Sequence, residues 1–484
     1  MPLKKYYRRK SMKFSSSWSF RPFVEPVNEK AAQLPYICRL SHKKDSFTVD
    51  FIDNGAHNAS HTLWWRVRGG GDYTAVCING DSVTVNGVET DTDYEVYVAR
   101  TDTVYECSAV RLVRTGDAPG TVVNYLHPED TAYDLSGRFL DSSSIVKLPS
   151  GRLVSCMGTH ATEEHGENLS ILFSSDDNGE SWHYLCELFP ARWARLFFDG
   201  GKLWCLCTSC TYGDLLIGCS EDEGATWGEP SILARGTCVN SRAGWHHTPM
   251  PILHHNGRII TDIQYGAWSS GYFANAVLSA KEGSDLLDRD NWAISEFWDH
   301  RDHSDIRPTI SGGEKGSTDA FKYALGGIEG SAVVTPDGNV WVIHRYGDKK
   351  PLILEYDPED PWGELKNGRL CDMPVKDSKA PIEYDSVSGR YYMLCNYAPD
   401  GRSVGRTICA LMSSGDLSDW KLERIVFDYS SEDPKKIGLQ YFDFLIDGND
   451  ILFVSRTAVC GAKNFHDSNH QTFHRIKDFR VADK

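Results

Sequence analysis

No apolar run in this chain is long enough to cross a bilayer as a helix, which takes about 20 residues. None follows the basic opening MPLKKYYRRKSMKF either, so that stretch does not read as a secretory signal and is expected to be a flexible arm. Positive charge is in short supply: 51 Lys and Arg against 67 Asp and Glu leave a formal net charge of -16. That balance argues against nucleic acid or an anionic membrane as partner, because both need a basic face. A carboxylate-bearing substrate stays compatible with it, given a local cationic pocket. A compact disulfide framework is missing too. The fourteen cysteines are scattered over 484 residues, as expected of buried, reduced thiols in a cytoplasmic protein. WCLCTSC sets Cys205, Cys207 and Cys210 at a suggestive spacing, but in a strand Cys205 and Cys207 are core neighbours on one face. No fourth ligand pair follows, so no zinc site is expected there.

What the chain does have is aromatic residues, at 12%, and 42 glycines, a composition that suits an all-β protein rich in turns. Between residues 35 and 115 lie short alternating strands, FTVDFI, HTLWWRVRG, SVTVNGV, DYEVYVARTD and SAVRLVRTG, separated by turn residues. They predict a small β-sandwich, with residues 1–34 as an N-terminal arm. GDAPG at 116–120 is the expected linker.

The stretch SSDDNGESW, residues 174–182, joins an acidic, glycine-bearing turn to a tryptophan, and CSEDEGATW at 219–227 repeats it. Ser175, Asp177, Gly179, Ser181 and Trp182 match Ser220, Asp222, Gly224, Thr226 and Trp227. The aspartate can accept from the backbone N–H groups that follow, glycine can take positive φ, and the hydroxyl can tie the loop's exit. The tryptophan then plugs the turn into a sheet. A spacing of about 45 residues is that of a repeated four-stranded propeller blade. Six Gly-containing hairpin turns, LPSGRL, FDGGKL, HHNGRI, TPDGNV, DSVSGRYY and IDGNDI, predict about six blades between 121 and 484, with seven as the alternative count. A propeller brings the starts of its inner strands to one mouth.

The two S-x-D-x-G-x-[ST]-W loops and the blade count resemble the sialidase superfamily of Asp-box (BNR) propellers over most of 121–484. TDTDYEVYVAR with Trp64 and Trp65 resembles a fibronectin type III domain over that segment alone. IEGSAVVTPDGNVWVIHR is similar to the sialidase segment in which a glutamate supports a tyrosine nucleophile and an arginine grips the substrate carboxylate, which implies those roles for Glu329 and Arg345. LQYFDFLIDGNDILFVSR resembles the segment bearing the tyrosine, implying Tyr441. A phenol with a pKa near 10 needs a neighbouring carboxylate to take its proton. Where sialidases open their first blade with an arginine of the carboxylate clamp, LDSSSIVKLPSGRL has Asp141, an anion expected to repel a substrate carboxylate.

Other groups fall at blade starts. His160 and Glu164 in MGTHATEEHGEN are the candidate proton donors. Arg192 and Arg195 in ARWARLFF, His246 and His247 in GWHHTPMPI, and Lys379 in DSKAPIEYD are candidate substrate-binding residues. Such a mixture suits acid–base chemistry on a sugar. The histidine-rich variant also resembles propeller enzymes that cleave terminal rhamnose from glucuronic acid, some by hydrolysis and some by elimination. The expectation is a glycosidase that removes a terminal sugar from an acidic oligosaccharide. The alternatives are a lyase at a rhamnosyl-glucuronate type linkage and a glycan-binding propeller without catalysis. No cofactor is called for. No ligand spacing demands a metal, although the abundant carboxylates would suit a structural calcium ion on the propeller axis.

Overall fold

Many strands of this chain are apolar at consecutive positions, as in ILFV at 451–454 and LLI at 215–217, a pattern that demands burial on both faces. The computed structural model describes residues 18–480 apart from 25, 57–58, 102–104, 161–167, 238–241, 304, 307–325, 347–349, 377 and 399–404. Among the described residues the chain is all-β. The only helices among these residues are 3-10 segments, Pro26–Gln33 and Arg289–Asn291, and neither is long and apolar enough to cross a membrane.

Residues 36–114 form two antiparallel sheets. One holds three strands, Tyr36–Lys43, Ser46–Ile52 and Ser82–Asn86, and the other holds four, ordered Thr74–Ile78, His61–Val67, Asp93–Arg100 and Arg111–Arg114. Leu40, Phe47, Val49, Leu63, Val96 and Val98 fill the space between them.

The rest of the chain forms six antiparallel sheets in sequence order, with first strands Phe139–Lys147, Arg192–Asp199, Gly244–His246, Ile328–Val334, Ile382–Asp385 and Gly438–Asp447. Each sheet packs on the next through its own apolar cluster: Val154 and Leu172 against Leu196 and Leu216, Leu206 and Ile217 against Ile259 and Leu278, Ile260 and Val277 against Val342 and Leu354. Ile343 and Ile353 then meet Met393 and Met412, and Leu394 and Leu411 meet Phe444 and Phe453. Leu452, Val454 and Phe473 of the sixth sheet pack against Leu153, Ile171 and Phe173 of the first. Residues 451–454 thus send alternate side chains to two different neighbours, which accounts for the unbroken apolar run. The sixth sheet takes its outer strand, Thr121–Tyr125, from the start of this region, paired with His470–Ile476.

The two acidic loops are built alike. Ser175 Oγ donates to Asp177 (2.7 Å), Asp177 accepts from Ser181 N (2.9 Å), and Gly179 N donates to Ser175 Oγ (2.8 Å). Ser220, Asp222, Gly224 and Thr226 repeat the pattern at 2.8 Å in each case. Gly179 and Gly224 adopt φ of 92° and 95°, and Trp182 and Trp227 are buried.

Part of the expected N-terminal arm is docked. Ser19–Phe20 adds a fifth strand to the first sheet by pairing with Glu187 and Leu188. Trp18 is buried edge-on against Trp227 at 5.9 Å, so the second acidic loop helps to hold the chain's beginning.

Candidate active site

Four of the six first strands break register with their partners at the same place, between Leu140 and Ser143, Arg192 and Arg195, Ile328 and Ser331, and Gln440 and Asp443. The residues opening these bulges are Asp141, Trp193, Glu329 and Tyr441. Trp193, Glu329 and Tyr441 take positive φ, at 51°, 56° and 54°, a region that non-glycine residues seldom occupy and that clusters at functional sites. A bulge re-aims a side chain without ending its strand. Opposite the bulges, two second strands end on His160 and Arg345, paired with Phe139 and Ile328, and a third carries Arg456 two residues before its end, paired with Gln440.

These residues meet in one cavity of about 430 Å³, together with Arg192, Arg406, His246, Tyr212, Trp268, His466 and Asp467. Arg345 Nη1 donates to Glu329 (2.9 Å) and to the Tyr441 phenol oxygen (3.0 Å). The guanidiniums of Arg406 and Arg456 lie 5.4 and 5.3 Å from the Tyr441 ring centre, so three arginines surround this phenol. Burial, and after it the Glu329 carboxylate, raises the Tyr441 pKa against the pull of the arginines, so the phenol keeps its proton until Glu329 or a reacting group takes it.

Asp141 does not present a bare anion. Its carboxylate lies 3.0 Å from Arg192 Nη2 and 2.9 Å from Arg456 Nη1, all three side chains being buried. Burial would raise its pKa, but the two guanidiniums hold it well below the usual carboxylate range. The expected repulsion of a substrate carboxylate gives way to an arginine–aspartate–arginine triad in which the aspartate fixes two cations at the cavity wall. Aromatic rings join the lining: Trp193, with the Arg192 guanidinium 4.3 Å from its ring centre, stacks edge-on against His246 at 4.5 Å, and Trp268 packs on Phe273 at 5.0 Å. The cavity therefore offers both cations and aromatic rings.

A buried relay supports the Glu329 bulge. Asp262 accepts from Gly330 N (2.7 Å) and lies 2.9 Å from His344 Nε2. Gln264 donates to Asp262, and its Oε1 lies 2.8 Å from His246 Nδ1.

Of the residues singled out from sequence, Tyr441, Glu329, Arg345, Arg192, His160, His246 and Asp141 line this cavity. Arg195, His247 and Lys379 are buried outside its lining: Arg195 pairs with Asp443 at 2.5 Å, His247 Nδ1 lies 3.3 Å from Asp262 O, and Lys379 Nζ donates to Pro249 O. Burial lowers the Lys379 pKa to about 8. Glu164 lies outside the described residues. The proton-donor candidate that is described, His160, is buried with Nε2 3.1 Å from Arg456 Nη2. Arg406, Arg456, Tyr212 and Trp268 escaped the sequence reading. Arg456 had a signal, since the arginine of VSR follows the IDGNDI turn in the second strand of its hairpin as that of IHR follows TPDGNV.

His160, His466 and Asp467 bring donor atoms within 4.8 Å of one another, a spacing that could hold a metal ion. The Arg456 guanidinium occupies that corner, 3.1 Å from His160 Nε2 and 3.4 Å from His466 Nδ1, and a fixed cation there opposes a second one.

The fold and site thus define an all-β protein in which, among the described residues, two sheets precede six successively packed antiparallel sheets, four of whose first strands bulge toward an arginine-rich cavity with aromatic lining. No protein-family model and no curated protein matches the chain. Among solved structures it is similar to the Hadza microbial sialidase Hz136, at 12% identity over 92% of this chain and 94% of that one, with a TM-score of 0.49. It is also similar to the NanB sialidase of Streptococcus pneumoniae (10% identity, 91% and 92% covered, TM-score 0.47) and to the Trypanosoma rangeli sialidase in complex with sialic acid (12%, 73% and 57%, 0.47). At these values the likeness speaks to neither substrate nor mechanism, which the residues themselves must carry.

Proposed function

We propose that the six sheets are the blades of a β-propeller preceded by a sandwich domain, and that the cavity cleaves a terminal sugar from an acidic oligosaccharide by hydrolysis. The observation that carries this reading is the geometry of Arg345, Glu329 and Tyr441: two bulges aim a carboxylate and a phenol at a single guanidinium. In this reading Glu329 takes the phenol proton as Tyr441 attacks the anomeric carbon, and the surrounding arginines stabilise the phenolate character that develops. The substrate's carboxylate is held by the cationic wall of Arg345, Arg406 and Arg456, with Arg192 and Asp141 fixing Arg456 in place. Trp268, Trp193 and Tyr212 offer ring faces to the C–H surface of a sugar. The sialidase-like segments noted in the sequence point the same way, and the paired S-x-D-x-G-x-[ST]-W loops belong on the outer edges of the blades.

Elimination at a uronate is the second reading, favoured by the imidazoles of His160 and His466 beside arginines. Burial lowers the His160 pKa to about 3, and burial followed by Arg456 lowers that of His466 to about 4, so both are neutral bases at physiological pH. The test is incubation with sialylated and rhamnosyl-glucuronate oligosaccharides, reading released sugar and ultraviolet absorbance together. Release without new absorbance supports hydrolysis. New absorbance from an unsaturated uronate replaces it with elimination, and no release leaves a glycan-binding protein.

A further inference from the structure

The hydrolytic reading needs a group that protonates the leaving oxygen and later activates water, and neither Glu329 nor Tyr441 is free for that task. His160 is buried, with Nε2 against Arg456. His466 is placed differently. Its side chain is 47% exposed at the cavity wall. Its Nδ1 lies 3.0 Å from Asp467 Oδ1 and 3.4 Å from Arg456 Nη2, which also donates to the His466 carbonyl; the carboxylate is the nearer partner and can only accept, so the hydrogen sits on Nδ1. Nε2 then carries the lone pair, and among the described residues it has no hydrogen-bond partner.

Asp467 is in turn fixed. It accepts from Asn464 Nδ2 (3.0 Å), its own backbone N–H donates to Asn464 Oδ1 (2.7 Å), and Lys463 Nζ lies 3.2 Å away. The carboxylate is buried while the imidazole it orients is open.

We propose that His466 is the proton-transfer residue of this cavity and that Asp467 is its positioning residue. The proposal rests on the hydrolytic reading for the identity of the step. In the first half, Tyr441 oxygen bonds to the anomeric carbon, the glycosidic C–O bond breaks, the phenol proton passes to Glu329, and the leaving oxygen takes the Nε2 proton of His466. In the second half, a water oxygen bonds to the anomeric carbon as the tyrosyl C–O bond breaks. One water proton goes to His466 Nε2, and Glu329 returns its proton to Tyr441.

The charged and titratable groups facing His466 are Asp467, Asp141, Arg456, Arg406 and His160. In the empty cavity Arg456 disfavours the imidazolium. A bound substrate carboxylate offsets that guanidinium, so binding an anion is what lets His466 take up the proton it donates.

The test pairs kinetics with a spectrum recorded without substrate. The probes are aryl glycosides of sialic acid and glucuronic acid with a good leaving group, dinitrophenol, and a poor one, methylphenol. His466→Gln should slow the poor leaving group by about 10²–10⁴-fold and the good one by less than about tenfold, while Asp467→Asn should move the basic limb of the pH profile to lower pH. Equal loss on both leaving groups overturns the proposal, as does an unmoved limb. Independently, long-range ¹H–¹⁵N correlation of the histidine rings, assigned with His466→Gln, should show Nδ1 protonated and Nε2 bare in the wild type, with that preference lost in Asp467→Asn. An Nε2–H tautomer overturns the dyad even if turnover is robust. No turnover by the wild type overturns the hydrolytic reading, while the spectrum still decides the dyad.

Discussion

Arg345 and Tyr441 stand 96 positions apart in the chain, yet Nη1 of the arginine donates a 3.0 Å hydrogen bond to the phenol oxygen. The same nitrogen lies 2.9 Å from Glu329, so a single guanidinium orients an acid–phenol pair that two separate sheets supply. The phenol oxygen already accepts from Arg345, which under the proposed mechanism leaves the phenol hydrogen for Glu329.

Removing the phenol oxygen should therefore abolish chemistry and spare binding. Tyr441→Phe should lower kcat by about 10³-fold or more, the order expected when a covalent nucleophile is lost. Its Kd for an acidic oligosaccharide, measured by calorimetry, should change by less than about tenfold, since the arginines remain.

Asp141 should matter more to stability than to any single chemical step. Asp141→Ala leaves Arg192 and Arg456 buried without their shared counter-charge, and a broken buried pair costs about 3–5 kcal/mol. Denaturant unfolding of the variant against the wild type measures this.

The same triad sets an acid limb. The folded-state pKa of Asp141 lies below that of the unfolded chain, so its contribution is complete above the ordinary carboxylate pKa near 4. It is lost as the pH falls from there toward the folded value. Stability curves of wild type and Asp141→Asn should stay a constant distance apart above about pH 4 and converge as the pH falls below it.

The two acidic loops give an internal comparison. A Cβ on Gly179 would fall 2.0 Å from the Phe473 ring, whereas one on Gly224 would meet Leu185 at 3.2 Å, and both positions have positive φ. Gly224→Ala should cost about 1–2 kcal/mol for the backbone conformation. Gly179→Ala should cost that plus about 1–3 kcal/mol for overpacking the seam between the first and sixth sheets.

Much of this architecture was legible because turns are local. The serine–aspartate–glycine–tryptophan loops announced themselves twice, and hairpin glycines marked the successive sheets. Glu329, Arg345 and Tyr441 were legible as a group because the two hairpin segments that carry them, IEGSAVVTPDGNVWVIHR and LQYFDFLIDGNDILFVSR, resemble sialidase segments. The bulges were not, since Trp193, Glu329 and Tyr441 adopt positive φ without being glycine, and nothing in their residue types signals it. Asp141 looked like an isolated anion because one of its cations, Arg456, lies 315 positions away. Arg195, His247 and Lys379 shared the blade-start position of the cavity residues. Arg195 lies beyond the bulge of its strand and faces away from the cavity, while His247 and Lys379 lie outside the neighbouring strands Gly244–His246 and Ile382–Asp385. The docking of Trp18 depends on a pocket formed by the second acidic loop, which no local pattern announces.

The most direct test of the central claim is sugar release from sialylated and glucuronate-bearing oligosaccharides by the wild type and by Tyr441→Phe under identical conditions. The account predicts release of a terminal sugar by the wild type without an unsaturated product, and none above background by the variant. Release by the variant at the wild-type rate would contradict it, because the cavity would then be cleaving its substrate without the phenol that three arginines surround.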